Sequence, residues 1–401
     1  MAEVESRMRA RQDWRRSRSA LDGKIRSDTR ATSVLLAALV VSIVVLLMAC
    51  ASGTPAALPP APATAPRVEA PPTAAAAAPA PTAGALVPPV ELKIGTPLTI
   101  GETPLYLAIE KGYLREQGLT VETVLLSTAE QMIPPLSAGQ IDIGVGGLGP
   151  GLYNAVARDI KLRLVSFGAI HAPGRSSWLV ARKDLVDSGQ LNDYAVLKGK
   201  SLATPGGVTV THFFFDRARI RGGLAPDDLR YSALSFPDMV VALANGNIDV
   251  AFLPEPFASQ AVENEIGVRW KPISDVAPNF PAVIWMYSQN LIDTQPEAAR
   301  RFMLALLKGA QDYEDAIANN RGRPEAVAAA IKHTQIKDPA LYDKMIFTKA
   351  PTGGEIDKQS LEEVAAWFRA QGAITEMPDL NKVVDTEFTT YATQQLRSAS
   401  R

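Results

Sequence analysis

Gly206-Gly207 runs into Val208-Thr209-Val210-Thr211 at the start of a segment that reads as a helix over 209–221. A helix start presents unpaired N–H groups and the positive end of the macrodipole, which suit an anion. Glycines let a ligand come close to the backbone. The same residues also make a plain turn and N-cap, so two readings stand. A matching loop lies earlier, Thr99-Ile100-Gly101 to Thr103, with Pro104 placed at a helix start. Thr103 either donates to a ligand or caps that helix. Ser127 and Thr128 precede another helix and offer further donors. Gly146-Gly147 follow a strand, where the backbone must supply any contact. Glu255-Pro256 ends a strand; its carboxylate accepts from an amine or a heterocycle, or forms a rim salt bridge. The candidate contacts are thus Thr99, Ile100, Gly101, Thr103, Thr128, Gly146, Gly147, Gly207, Val208, Thr209, Thr211 and Glu255. His171, Arg175 and His212 are the candidate positive charges, His212 being also placed to orient the glycine turn. Trp178, Trp285 and Tyr287 offer ring faces or serve as core.

Other chemistries find no pattern. The histidines are scattered, and no His/Asp/Glu spacing forms a metal site. No G-x-S-x-G or Ser/His arrangement marks a nucleophile. Cys50 is the one cysteine, so neither thiol catalysis nor disulfides belong to the globular part. No enzymatic activity, metal or cofactor is expected. Without residues 1–49 the net charge is near −5, which argues against a nucleic-acid partner.

The elements that position these residues repeat. Residues 131–144 read QMIPPLSAGQIDIG and residues 238–251 read DMVVALANGNIDVA. Met132 pairs with Met239, Leu136 with Leu243, Gly139 with Gly246, Ile141 with Ile248 and Asp142 with Asp249, all at one offset. Each block belongs to a run of strand, helix, strand, helix and strand: strands at 91–95, 120–126 and 141–145, then at 201–204, 230–234 and 249–253. Such alternation implies parallel sheets, whose ligands sit beyond the carboxyl ends of the strands. Asp142 and Asp249 are expected to close helix-to-strand turns. Strands at 178–181 and 282–286 read as two crossings between lobes. Helices at 296–318, 323–333 and 359–371 are expected to return over lobe one.

The first ninety residues differ. A basic segment precedes the apolar run 34–49, which ends in Leu47-Met48-Ala49-Cys50. This is the pattern of a secretory signal, and the single Cys after a small residue resembles a bacterial lipobox. An uncleaved membrane helix is the rival, but it needs about 20 apolar residues. Residues 51–90 hold 11 Pro and 15 Ala, a composition that stays extended and acts as a tether. The expected organisation is 1–49 signal, 50–90 tether, 91–180 with 284–401 lobe one, and 181–283 lobe two.

The segment from Leu92 to Ile292 resembles the substrate-binding proteins of ABC importers for nitrate, sulfonates, taurine and thiamine-precursor pyrimidines. Thr103-Pro104-Leu105-Tyr106-Leu107-Ala108-Ile109-Glu110-Lys111-Gly112-Tyr113-Leu114, then Gly118-Leu119, carry the resemblance. The two G-x-I-D blocks, Leu197-Lys198-Gly199-Lys200 and Glu255-Pro256 add to it. Val208 stands where many relatives have Ser, and Leu253-Pro254 where they have an aromatic. The resemblance implies an α/β chain with the type II periplasmic-binding-protein fold, two lobes with a hinge and two strand crossings. It implies capture of a small solute and handover to a permease, with ATP hydrolysed by a separate subunit. The chain is then an exported monomer, lipid-anchored through Cys50 to the outer face of the cell membrane. Two alternatives stay open: a tethered sensor module, and a pyrimidine-synthase-like enzyme, a branch that uses a cysteine-rich motif absent here.

Overall fold

The structure, a computed structural model, describes residues 85–399. The signal segment, Cys50 and most of the tether lie outside the described residues. Two five-stranded sheets carry the chain. The first holds β1 (Val90–Thr96), β2 (Leu119–Leu125), β3 (Ile143–Gly146), β4 (Leu162–His171) and β10 (Phe280–Ser288). The second holds β5 (Trp178–Arg182), β6 (Ser201–Thr204), β7 (Arg230–Ala233), β8 (Val250–Leu253) and β9 (Gly267–Pro272). Their orders are β2-β1-β3-β10-β4 and β7-β6-β8-β5-β9. In each, three strands are parallel, and a strand received from the other half pairs antiparallel beside them. The repeat read in the sequence is therefore a repeat of topology.

The strands at 178–181 and 282–286 are not themselves crossings. β5 lies wholly in the second sheet and β10 wholly in the first. The chain crosses between His171 and Trp178, and again between Pro272 and Phe280. These two links are bonded to each other: Ile273 N donates to Ser177 O at 2.9 Å and Ser274 N to Ser176 Oγ at 3.1 Å. Both segments extend hydrophobic strands, which hid the crossing points from the sequence.

Helices α1 (Thr103–Glu110), α2 (Ala129–Ser137) and α3 (Pro150–Ala157) serve the first lobe; α4 (Val210–Arg221), α5 (Phe236–Ala244) and α6 (Phe257–Glu263) serve the second. The C-terminal region adds α7 (Pro296–Ala318), α8 (Arg323–His333), α9 (Lys358–Ala370) and α10 (Glu387–Ala399). Among the described residues no helix is long and apolar enough to cross a membrane. α7 buries Phe302, Met303, Leu306 and Leu307 in the same core as Leu105 and Leu107 of α1. The expected return of the C-terminal helices to lobe one fits α7 and α8, and α10, which had no reading in the sequence, packs there too, but α9 does more. It packs on α3 through Tyr153, whose hydroxyl donates to Leu361 O at 3.1 Å. It also grips α4: Trp367 Nε1 donates to Asp216 Oδ2 at 3.1 Å, Glu363 pairs with Arg217, and the Trp367 ring meets Phe213 edge-on. One C-terminal helix thus ties both lobes.

Gly309 lets α7 approach the start of α1, because a Cβ there would sit 2.2 Å from Pro104 O. Gly309→Ala is expected to destabilise. Its gain in helix propensity is about 1 kcal/mol, but forcing backbone apart in a packed core costs about 1–3 kcal/mol. Urea unfolding should show a lower midpoint; a raised one would mean that α7 is free to shift.

Candidate functional site

The loops that follow the parallel strands of both sheets meet around a cavity of about 340 Å³. Pro97 to Glu102, Ser127 and Gly146-Gly147 come from the first lobe. Pro205, Thr209 to Thr211 and Pro254-Glu255 come from the second. A larger groove of about 680 Å³ lies along Val156–Arg163 and Asp379–Val383, but one lobe alone lines it and no repeated loop reaches it. The inter-lobe cavity is where strand ends converge, the usual place for a ligand in such sheets.

The structure brings Thr99, Ile100, Gly101, Gly146, Gly147, Thr209, Thr211 and Glu255 to this wall. It does not bring Thr103, Thr128, Gly207 or Val208 there. Thr103 is buried, and its hydroxyl donates to Ile100 O at 2.7 Å, holding the loop from behind. Thr128 caps α2 by accepting from Gln131 N at 3.4 Å. Gly207 turns with φ 76°, which swings Val208 outward to a separate pocket with His212 and Trp367. Thr209 Oγ1 lies 2.7 Å from Thr211 Oγ1 and 3.2 Å from His212 Nδ1, so its side chain is tied to other side chains. The first N–H groups of α4 remain for a ligand, as at any helix start.

The expected positive charges are absent from the wall. No Lys or Arg lines the cavity among the described residues. Arg175 makes a bidentate pair with Glu314 and donates to Thr348 O at 2.8 Å. His171 does line the cavity, but burial pushes its pKa down to about 3, and its Nδ1 accepts from Ser177 N at 3.3 Å. It is a neutral acceptor. His212 is also lowered by burial, and its Nε2 sits 2.9 Å from Thr204 Oγ1, which anchors the turn to β6. Trp285 and Tyr287 are core residues of the first lobe.

Glu255 lines the cavity with its acceptors already engaged. Oε2 accepts from Ser259 N at 3.0 Å; Oε1 accepts from Arg269 Nη2 at 2.9 Å and from Ile346 N at 3.1 Å. Arg269 also donates to Lys344 O at 3.0 Å. The carboxylate is a clamp between the second lobe and residues 344–346, close to the salt-bridge reading and away from a solute contact.

Several wall residues carried no reading in the sequence. Phe214 of α4, Phe236 of α5 and Phe252 of β8 form an aromatic face, with ring centroids 5.7 Å apart for Phe214 and Phe252 and 6.2 Å for Phe236 and Phe252. Ile346 and Thr348 arrive from the C-terminal region. Glu102 is the most unusual. It follows Thr99 at capping-box spacing, and its Oε2 accepts from Thr99 N at 2.6 Å, Thr99 Oγ1 at 3.0 Å and Tyr106 Oη at 3.5 Å. Its Oε1 has no partner, and the residue is 1% exposed. Burial pushes its pKa up to about 7 against the lowering effect of those hydrogen bonds.

Two like sheets, joined by two crossings around one cavity, define the architecture. Residues 100–319 match the family described as NMT1/THI5 like. The chain belongs to this family. A nitrate/nitrite binding protein, NrtA of Nostoc sp., is 27% identical over 233 residues, 54% of this chain and 52% of that protein. The match therefore spans about half the length of that relative. A 4-amino-5-hydroxymethyl-2-methylpyrimidine phosphate synthase of Aspergillus parasiticus is 23% identical over 223 residues, covering 52% of this chain and 62% of that one. The solved periplasmic aliphatic sulphonate binding protein SsuA from Escherichia coli has a TM-score of 0.61 at 18% identity, covering 74% of this chain and 92% of that chain. That likeness carries the fold: this member of the NMT1/THI5-like family has the two-lobe periplasmic-binding-protein architecture.

Glu255→Ala is expected to cost about 3 kcal/mol in urea unfolding, because it leaves Arg269 partly buried and unpaired; an unchanged midpoint would show that the clamp does not hold in solution. Glu102 gives a pH signature. Its folded pKa lies above the usual carboxylate value of 4.5, so the folded state binds more protons between about 4.5 and 7. Stability from this group is full below 4.5 and is lost as pH rises through 7, on the order of 3 kcal/mol in all. His171 acts oppositely, losing stability as pH falls from 6.5 toward 3. Glu102→Gln should therefore flatten the decline in melting temperature between pH 5 and 8; parallel curves for the two proteins would count against a buried, titrating Glu102.

Proposed function

We propose that this chain is the extracytoplasmic solute receptor of an ABC importer. It captures a small polar organic solute between its lobes and delivers it to a permease whose ATPase is a separate subunit. The observation that carries this reading is the cavity itself, built from matching strand-end loops of two repeated sheets. The binding proteins among its relatives support it. The hydrogen-bonded crossings serve as the hinge, with residues 91–180 and 284–401 forming most of one lobe and 181–283 most of the other. Sulfonate, nitrate and pyrimidine all fit the family, but a wall of three phenylalanines without a cation favours an organic molecule over a bare oxyanion. Cys50 is lipidated after removal of residues 1–49, and the Pro/Ala-rich segment holds the monomeric receptor off the membrane.

A second reading, a synthase, draws on the pyrimidine phosphate synthases among the relatives. It places its chemistry in the same cavity, whose lining among the described residues holds no cysteine. His171 there is turned to Ser177 N and is not paired with a nucleophile.

The receptor reading is tested by a thermal-shift screen of the full-length chain in mild detergent, with nitrate, methanesulfonate, taurine and small aromatic amides and amines. A true solute at a hundredfold excess over its dissociation constant adds about 2.7 kcal/mol of stability. The same solute should compact the protein in small-angle scattering, and Cys50→Ser should abolish radiolabelled fatty-acid incorporation. Scattering unchanged at saturation would rule out capture by closure, and labelling that persists would rule out the anchor.

A further inference from the structure

The first-lobe loop carries a polar group that the fold leaves unused. Glu102 belongs to the cavity wall, and one of its carboxylate oxygens is occupied while the other has no partner. Thr99 N–H and Thr99 Oγ1 converge on Oε2, and Tyr106 Oη, which donates to Thr99 O at 3.0 Å, lies 3.5 Å from it. This capping box fixes the carboxyl group, so Oε1 cannot turn to find a donor without breaking the loop. A buried acceptor without a donor is costly, and native folds leave few such groups unpaired. The other buried acid on this wall, Glu255, is fully engaged. The two acids thus differ: Glu255 closes structure, and Glu102 keeps one buried oxygen unpaired.

We infer that Glu102 Oε1 is the cavity's acceptor for an N–H group of the solute, and that it selects an organic molecule with an apolar or aromatic body carrying such a donor. This rests on the receptor reading and names its solute class. Three features of the wall agree. Phe214, Phe236 and Phe252 give the solute's body an aromatic face. Among the described residues no cationic side chain lines the cavity, so a bare oxyanion finds backbone N–H groups there but no counter-charge. The cavity volume of about 340 Å³ lies at the lower end of sites for organic ligands, about 300–1,000 Å³. The groups around Glu102 impose no opposing charge. Thr99 and Tyr106 touch it directly; behind Tyr106 lies the His333 ring, stacked at 4.9 Å and bonded to Glu110. A donor at Oε1 favours the carboxylate over the acid, so binding should release a proton near pH 7 and tighten as pH rises from 6 to 8.

The test uses matched pairs that differ in the donor alone: benzamide against N,N-dimethylbenzamide, and aniline against N,N-dimethylaniline, with nitrate and methanesulfonate as oxyanions. Binding to the full-length chain in detergent is measured by calorimetry, for wild type and for Glu102→Gln. Gln keeps an acceptor for Thr99 N–H and places an NH₂ where Oε1 stands. The expected result is a preference of tenfold or more for the N–H member in wild type, lost in Glu102→Gln. Equal binding within the pairs overturns the inference. So does a preference that survives Glu102→Gln, which would be steric. Binding of oxyanions alone also overturns it, while leaving the receptor reading intact. If Glu102→Gln does not fold, the wild-type pairs and their pH dependence still decide: affinity that weakens from pH 6 to 8 contradicts an acceptor role. Absence of binding by every probe counts against the receptor reading, and this inference falls with it.

Discussion

Each lobe depends on one aspartate. Parallel strands have no hairpin to set their register, and a slip of one residue turns every side chain to the other face. In the first lobe Asp142 Oδ2 accepts from Lys93 N at 2.8 Å while Asp142 N donates to Lys93 O at 2.9 Å. In the second, Asp249 Oδ2 accepts from Ser201 N at 2.9 Å while Asp249 N donates to Ser201 O at 2.8 Å. This two-point clasp pins the third strand to the first, giving Ile94 opposite Ile143 and Leu202 opposite Val250. Gly139 and Gly246, with φ of 67° and 71°, supply the left-handed turn that presents each aspartate. With the register set at one strand end, Gly146-Gly147 and Pro254-Glu255 emerge at the other, on the cavity.

The clasps act within lobes; other contacts act between them. Glu255 and Arg269 bind residues 344–346, and α9 holds α4 through Trp367 and Glu363. These ties differ in kind. The Glu255–Arg269 pair is desolvated, so removing one partner is costly. The Arg217–Glu363 pair is more exposed, the regime in which ion pairs contribute about 0–1 kcal/mol. The two ties between the lobes are thus unequal in their ion pairs.

The legible parts were those encoded locally. The G-x-I-D blocks marked both aspartates, because a glycine stop, an apolar residue and an aspartate recur at one spacing, but as closures of helix-to-strand turns; their partners on the first strands, Lys93 and Ser201, came only with the fold. The helix at 296–318 was read to the residue, since its apolar stripe is long and begins at Pro296. The two readings of Glu255, solute acceptor or salt bridge, stayed open in the sequence because its partners are distant: Arg269 lies across the sheet and Ile346 comes from the C-terminal region. The bridging role of α9 was hidden for the same reason, as a half-buried Trp367 carries no mark of which lobe it will touch. Glu102 is the opposite case. Thr99-Ile100-Gly101-Glu102 is a visible capping-box spacing, but its free oxygen emerges only when burial is known.

What the cavity holds is decided by magnitudes more than by any single contact. A helix start stabilises an anion by about 0.3–1 kcal/mol, and up to about 2 kcal/mol when partly buried. An oxyanion gains that, but surrenders its hydration with no cation among the described lining residues to replace it. It also leaves the phenylalanine face and Glu102 Oε1 unmet. Burying about 100 Å² of a solute ring at about 25 cal/mol per Å² gives about 2.5 kcal/mol. Pairing the orphan oxygen recovers about 1–3 kcal/mol more. Both gains need a solute with a ring and a donor, and together they exceed what the helix start offers to charge. On the proposed receptor reading, the aromatic wall and the orphan carboxyl thus outweigh the helix start in choosing the solute.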